Sequence, residues 1–199
     1  GTRDGKSYGG NRFSDLYSKM YPSMEWMDSH VSKFEKPLFV CEYAHAMGNA
    51  IGNLKEYWNS ITNSTSTIGG AIWDWVDQAI YEPAEIKKGI YRLHTGYDFP
   101  GPHQGNFCSN GIIPATRTES SKLKEVKAVY QYIDFKLLEK DSKRNQATVK
   151  IINRYNFLAL DTSDLKWETV ENGKIVKSDS MQLDKILPGD SLTVKLKLS

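Results

Sequence analysis

Residues 37–49 read PLFVCEYAHAMGN, and they predict a buried strand that leads directly into reactive side chains. The continuous apolar run Leu38–Cys41 is typical of a strand buried on both faces of a parallel sheet. Glu42 follows this run directly, and His45 lies close behind it. Because active sites of parallel α/β folds lie at the carboxyl ends of strands, Glu42 is a candidate catalytic residue. A structural role for Glu42, as a cap or an ion pair, stays open at this point.

The segments on either side of this stretch alternate between strand and helix patterns. Upstream, residues 15–21 predict a strand and residues 24–34 predict a helix. Downstream, apolar residues at helical spacing predict a helix over 51–61, and GGAIWDWV at 69–76 predicts the next strand. A last amphipathic pattern covers 123–133. Strands and helices in this order favour an α/β unit with parallel strands.

Three successive strand ends present Tyr21, Glu42 and Trp73, which parallel pairing would bring to one rim. As strand residues, Trp73 and Trp75 would share one face and Asp74 the other. A tryptophan there either fills the core or forms a flat platform beneath a sugar ring. The glycine- and proline-rich stretch 77–118 is longer than most structureless loops, so we interpret it as a candidate site loop.

The second part of the chain has a different pattern. Alternation with a period of two covers 165–169 and 192–198, and no helix pattern occurs after about residue 134. Asn172–Gly173 and Pro188–Gly189 are turn signals between these runs. We therefore predict an α/β domain over 1–132 and a small antiparallel β-sandwich, of the immunoglobulin-like kind, over 133–199.

Composition excludes several classes of protein. The 26 Lys and Arg residues against 24 Asp and Glu residues leave a net charge of +2, too balanced for a nucleic-acid binder. The apolar runs are too short to span a membrane, and two cysteines make no disulfide framework. Glu42 and His45 alone do not make a zinc site. Lys122, Lys124 and Lys127 are interpreted as the solvent-facing side of their helix.

Several motifs together resemble those of the large bacterial β-galactosidases of glycoside hydrolase family 2. The first and most specific is PLFVCEYAHAMGN at 37–49, which resembles the nucleophile motif of that family. Further resemblances, in the family's order, are GGAIWDWVDQ at 69–78, GYDF at 96–99, NFCSNG at 106–111, and NRY at 153–155 with Trp167. The resemblance implies the last part of a (β/α)8 TIM barrel, strands 6–8, followed by an immunoglobulin-like sandwich.

The resemblance also implies roles for individual residues. Glu42 would be the nucleophile in the retaining cleavage of terminal β-D-galactosides, forming a covalent glycosyl-enzyme. Tyr21 would hydrogen-bond this nucleophile. His45 would bind a sugar hydroxyl, and Trp73 would form the apolar floor beneath the galactose. The side chain of Asn110 and the backbone carbonyl of Phe107 would help to hold a sodium ion.

The other half of the expected site lies outside this chain. Retaining glycosidases use two carboxyl groups, and the family's acid/base Glu belongs to an Asn–Glu pair that does not occur here. The family's magnesium ligands also lie outside this sequence. We therefore expect the chain alone to be inactive, and to need the remainder of the catalytic barrel as its partner. Exposed sheet edges would also favour homo-oligomers.

Three other interpretations remain. A β-glucuronidase or β-mannosidase relative would share the strand-end Glu42, although HAMGN at 45–49 favours a β-galactosidase. A non-catalytic carbohydrate-binding module would fit the aromatic strand ends, but it would not need Glu42 beside Tyr21. A purely structural interaction domain is a third, weaker possibility. The compartment, bacterial cytoplasm or periplasm, is left open.

Overall fold

The structure is a computed structural model that describes residues 14–30 and 35–198. Residues 1–13, in the first predicted domain, and residues 31–34, at the end of the first predicted helix, lie outside the described residues. The chain divides into two compact units, one ending at Tyr130 and the other beginning at Gln131. No helix among the described residues is both long and apolar enough to cross a membrane.

The first unit is built on three parallel strands in the order β1–β2–β3. Its elements in chain order are β1 (Tyr17–Met20), α1 (Met24–His30), β2 (Leu38–Tyr43), α2 (Leu54–Thr62), β3 (Thr67–Ile72), β4 (Ile80–Tyr81), α3 (Pro83–Ile86), β5 (Leu93–His94) and α4 (Ser121–Tyr130). Strand, helix, strand, helix and strand follow one another as the sequence predicts. This order places the carboxyl ends of all three strands at the same edge of the sheet.

The boundaries differ from the sequence prediction where the backbone leaves the regular region. β1 ends before Tyr21, whose φ of 45° is left-handed and cannot continue a strand. α2 begins only after Asn53, whose φ of 60° is incompatible with a right-handed helix. The prediction that the third strand reaches Val76 is wrong, because β3 ends at Ile72. The last helix ends at Tyr130, earlier than predicted.

One face of the sheet is covered by helices. Met27 of α1, Val40 of β2, Leu54 of α2 and Val126 of α4 form one buried core cluster. On the opposite face, Ile68 of β3 is 58% exposed. In β2 itself, no side chain is exposed: Leu38, Val40 and Tyr43 are buried, and the three other residues of the strand are partly buried.

The long connection after β3 contains a short hairpin, β4–β5, and then runs back along the segment that follows β3. We call residues 107–113 the return segment. The backbone N–H of Asp74 donates to the carbonyl of Asn110 at 2.8 Å, and that of Ile113 donates to the carbonyl of Trp75 at 2.9 Å. Ile113 also pairs in parallel with Val76 as an isolated bridge. The return segment is thereby fixed beside the end of β3.

The second unit consists of antiparallel strands. They are β6 (Ile133–Asp141), β7 (Gln146–Asn153), β8 (Asp164–Glu171), β9 (Lys174–Gln182) and β10 (Ser191–Lys197). One sheet has the order β10–β7–β6, and the other is the β8–β9 hairpin. Asn172 (φ 48°) and Gly173 (φ 77°) are both left-handed, as a two-residue hairpin turn requires, which confirms the turn prediction.

The two sheets of the second unit share one apolar core. Ile151 of β7 is fully buried together with Val194 and Leu196 of β10. Leu165 and Trp167 of β8 pack against this cluster. The predicted alternation in β8 and β10 is confirmed, because successive side chains of a strand point to opposite faces and one face is buried.

Candidate active site

Tyr21 and Glu42 meet at the carboxyl ends of β1 and β2. The Cα of Met20 pairs with that of Glu42 in the parallel register, and the N–H of Tyr21 donates to the carbonyl oxygen of Glu42 at 2.8 Å. Burial raises the pKa of the Tyr21 phenol to about 12, and the negative charge of Glu42 and hydrogen bonding to its side chain add to the rise. A phenol with this pKa stays protonated at neutral pH and remains a hydrogen-bond donor.

The backbone around Tyr21 is held in an unusual conformation. Its φ of 45° is left-handed, which is rare for a bulky side chain and costs free energy unless neighbours impose it. The hydroxyl of Tyr57, on α2, donates to the carbonyl of the following residue, Pro22, which is fully buried. In this conformation the Tyr21 phenol lies close enough to the Glu42 side chain for hydrogen bonding between them.

His45 lies on the loop that leaves β2. Ala44, between Glu42 and His45, also has a left-handed φ of 50°, so the chain turns sharply at this point. The His45 ring centroid lies 6.2 Å from that of Tyr21 and 6.1 Å from that of Phe107. The structure therefore brings His45 between the end of β1 and the return segment.

Trp73 follows β3 directly and is 37% exposed, so part of its ring faces solvent. Its N–H donates to the carbonyl of Tyr43 at 3.1 Å, and its own carbonyl accepts from the N–H of Ala46 at 2.8 Å. The peptide bond between Trp73 and Asp74 is cis. Strand periodicity did not predict this geometry, because β3 has already ended.

Asp74 is a site residue that the sequence analysis did not select. Its Oδ2 accepts from the Gln78 side chain at 2.6 Å, whereas its Oδ1 is buried and has no hydrogen-bond partner among the described residues. Its negative charge also contributes to the raised pKa of Tyr21. An Asp between two tryptophans at a predicted strand end was the available signal, but the strand pattern assigned it to the opposite face from Trp73.

The two residues proposed for a sodium ion lie side by side in the return segment. The Asn110 side-chain Nδ2 donates to the carbonyl of Phe107 at 2.7 Å. Asn110 is 3% exposed, and its Oδ1 is buried without a hydrogen-bond partner among the described residues. Hard cations take carbonyl and amide oxygens as ligands, so the unpaired Oδ1 fits such an ion. The Phe107 carbonyl already accepts the Asn110 amide N–H and has one lone pair left for a cation.

Lys122 corrects one sequence expectation. The interpretation of Lys122 as a solvent-facing side chain is wrong, because its ammonium donates to the carbonyl oxygens of Ala46 and Gly111. Lys124 and Lys127 are exposed, as expected. Helical spacing alone could not predict that one of the three lysines faces inward while the other two face solvent.

Comparisons with known proteins assign the family. Residues 4–135 match the family described as "Glycosyl hydrolases family 2, TIM barrel domain". The chain belongs to glycosyl hydrolase family 2. Residues 149–199 of this family 2 chain match a second description, "Beta-galactosidase, domain 4".

Family 2 relatives of this chain carry the name beta-galactosidase. One from Priestia megaterium is 37% identical over 93% of this chain, and one from Photobacterium profundum is 35% identical over 89%. One from Actinobacillus pleuropneumoniae is 31% identical over 92% of this chain. The family 2 chain spans only 18%, 17% and 17% of the length of these three relatives.

Proposed function

We propose that this chain carries the nucleophile side of a retaining β-galactosidase active site, with Glu42 as the nucleophile. The observation that carries the proposal is the Tyr21–Glu42 pair at two adjacent strand ends. A carboxylate that attacks carbon needs a donor that orients it and stays protonated, and a phenol with a pKa of about 12 has this property. The names of the relatives support a β-galactoside as the substrate.

The proposed reaction has two displacements. In the first, a Glu42 carboxylate oxygen attacks the anomeric carbon, a covalent glycosyl–Glu42 ester forms, and the bond to the aglycone oxygen breaks as that oxygen receives a proton. In the second, a water molecule attacks the same carbon, loses a proton to a general base, and releases Glu42 as a carboxylate. Both proton transfers belong to an acid/base glutamate outside this chain.

The other site residues bind and orient the sugar. The partly exposed Trp73 ring forms an apolar floor beneath galactose. The face of the sugar that carries C–H groups packs on this aromatic ring. His45, on the loop after Glu42, hydrogen-bonds a sugar hydroxyl. The Phe107 carbonyl and Asn110 Oδ1 would hold a sodium ion, which when bound would supply a positive charge to sugar oxygens. Magnesium binds the intact enzyme through residues outside this chain.

The architecture that completes the site is a closed barrel. The described residues contain three parallel strands, whereas a (β/α)8 barrel has eight and takes about 250 residues. In this proposal β1, β2 and β3 are barrel strands 6–8, and the uncovered face that carries Ile68 is the barrel interior. Remaining barrel strands pair with the free edges of β1 and β3, and the second unit is an immunoglobulin-like sandwich. Without these strands the chain is inactive, and its exposed edges favour association with further copies.

The experiment that tests the proposal uses the complete enzyme, meaning a polypeptide that joins this chain to the remaining barrel strands. Glu42→Gln removes the nucleophile and keeps the shape of the side chain. We expect kcat with o-nitrophenyl β-galactoside to fall by about 10⁴-fold or more. Glu119→Gln, at an exposed glutamate of the same unit, is the matched control and keeps normal turnover.

Covalent labelling makes the test specific for the nucleophile. A 2-deoxy-2-fluoro-galactosyl reagent is expected to attach to Glu42, which mass spectrometry of the digested protein locates. Label on a different carboxylate, or full activity of Glu42→Gln, would refute the proposal. The isolated 199-residue chain is expected to release no galactose from lactose. Turnover by that chain would contradict the proposal that the remaining barrel strands complete the active site.

A further inference from the structure

The ammonium of Lys122 joins two segments that are far apart in the sequence. It donates to the carbonyl oxygen of Ala46 at 2.6 Å and to that of Gly111 at 2.7 Å. Ala46 lies on the loop after β2, and Gly111 lies in the return segment. Charge-assisted hydrogen bonds of this length are stronger than neutral ones, so the contact holds both segments to α4.

The position of Lys122 on α4 is electrostatically unfavourable for a cation. It lies in the first turn of the helix, which contains no acidic residue. The partial positive charge at a helix N-terminus repels a cation there. The two carbonyl oxygens therefore account for the inward position of this side chain, whereas Lys124 and Lys127 on the same helix point to solvent.

Each of the two carbonyls is one residue from a side chain of the proposed site. Ala46 follows His45, and Gly111 follows Asn110. Both segments are also tied to the end of β3, through Ala46 N–H to the Trp73 carbonyl at 2.8 Å and Gly111 N–H to Asp77 Oδ1 at 2.7 Å. These two bonds run to different acceptors after β3, a backbone carbonyl for Ala46 and a side-chain carboxylate for Gly111. The Lys122 ammonium, in contrast, donates to both segments from one group, in addition to the contact between the His45 and Phe107 rings.

We propose that Lys122 is a positioning residue, which fixes the His45 loop against the return segment that carries Phe107 and Asn110. The inference rests on the proposed function, because those are the residues assigned to sugar and ion binding. With the ammonium in place, the carbonyl oxygens of two buried residues converge on one donor. Without it, the two carbonyls lose their shared donor, and the segments shift relative to each other while their bonds to the residues after β3 keep them near. The residues on the two segments then lose their relative positions, whereas Glu42 in β2 and Tyr21 directly after β1 keep theirs.

The experiment compares Lys122→Ala, Lys122→Met and the control Lys124→Ala in the complete enzyme, with o-nitrophenyl β-galactoside as substrate. Lys122→Ala is expected to lower kcat/KM about 10- to 100-fold, mainly through KM, because small displacements of positioning groups have effects of this size. Lys122→Met keeps the aliphatic stem and is expected to show the same loss. Lys124→Ala is expected to stay within about twofold, as exposed substitutions usually do.

Rescue by a small cation separates positioning from general stability. Methylammonium chloride supplies a donating ammonium to the space left in Lys122→Ala, and it is expected to restore kcat/KM several-fold. Tetramethylammonium chloride, which cannot donate, and Lys122→Met, which leaves no space, are expected to show no rescue. A defect that is only structural would respond equally to both salts.

Either of two results for Lys122→Ala would overturn the inference: a kcat/KM within about twofold of wild type, or a loss that methylammonium and tetramethylammonium affect alike. If Lys122→Ala does not fold, the KM of Lys122→Met decides, and an unchanged KM overturns the inference. Glu42→Gln is measured in the same assay. If Glu42→Gln stays active the proposed function fails, whereas an inactive Glu42→Gln beside an unaffected Lys122→Met means that only the positioning role fails.

Discussion

Tyr21 and Glu42 are joined both through the backbone and through their side chains. The N–H of Tyr21 donates to the carbonyl of Glu42 at 2.8 Å, and the two side chains interact closely enough to contribute to a Tyr21 pKa of about 12. Tyr21 has a left-handed φ of 45°, and the hydroxyl of Tyr57 donates to the carbonyl of the next residue, Pro22. Adjacent parallel strands thus present a carboxylate and a protonated donor as one unit.

Removing the Tyr21 hydroxyl tests whether it supports the proposed nucleophile. In the complete enzyme, Tyr21→Phe is expected to lower kcat about 10²- to 10³-fold, the usual effect of losing one preorganised donor. KM should change little, because the ring remains in place. Tyr91→Phe, at a tyrosine that is 71% exposed, is the matched control. A Tyr21→Phe enzyme with normal kcat would show that Tyr21 does not assist the reaction.

The raised pKa of Tyr21 can be measured by its absorbance. The pKa of the phenol is raised from 10.0 to about 12, so Tyr21 keeps its proton at pH values where exposed tyrosines lose theirs. The difference between wild type and Tyr21→Phe near 295 nm should therefore appear only as the pH approaches 12. A difference signal with its midpoint near 10 would contradict both the burial of the phenol and its proximity to Glu42. Circular dichroism at each pH confirms that the fold is intact.

The sign of the linked stability effect follows from the same shift. Because the pKa of folded Tyr21 lies above that of unfolded tyrosine, its contribution to stability is complete below pH 10 and is lost as the pH rises towards 12. The free energy of unfolding of wild type should therefore fall relative to that of Tyr21→Phe in this interval. An increase would mean that the shift has the opposite direction.

Gly111 should tolerate no side chain, because the return segment packs there against backbone. A Cβ at this position would lie 2.1 Å from the N of Asp77 and 2.3 Å from the carbonyl carbon of Val76. Gly111→Ala is expected to lower the free energy of unfolding by about 3 kcal/mol, at the upper end for overpacking. Denaturant unfolding of the chain measures this.

Gly52→Ala is the matched control for this change. A Cβ at Gly52 would meet nothing within 4 Å, and its φ is not left-handed. The substitution is expected to be neutral or to stabilise by up to about 1 kcal/mol, since it reduces the freedom of the unfolded chain. Equal destabilisation by both substitutions would contradict the tight backbone approach at Gly111.

Local patterns identified most of the elements, because periodicity reports which face of a segment is buried. The apolar run at 38–41, the helical spacing at 51–61 and the Asn172–Gly173 turn all correspond to observed structure. Boundaries failed where a left-handed residue stopped a strand, as at Tyr21, or delayed the start of a helix, as at Asn53. No spacing rule detects such a residue when it is not glycine.

Sequence patterns could not predict which groups an individual side chain contacts. Lys122 belongs to a helix whose lysines look alike in sequence, and only the approach of two distant carbonyls turns it inward. Asp74 was not selected as a site residue because the predicted strand was extended past Ile72. The first error arises because a contact between residues far apart in the chain leaves no local trace, and the second because no local signal marks the end of β3 at Ile72.

The amino-acid sequence by itself determined the parallel α/β order of the first unit, the antiparallel strands of the second, and the strand-end positions of Tyr21, Glu42 and Trp73. It could do so because burial imposes a period on each segment, and parallel strands end on one edge. Only the tertiary structure decided that Tyr21 turns towards Glu42, that Asn110 lies against Phe107, and that Lys122 bridges Ala46 and Gly111. These relationships depend on how separate segments pack, which is set by the whole unit rather than by any one stretch of chain.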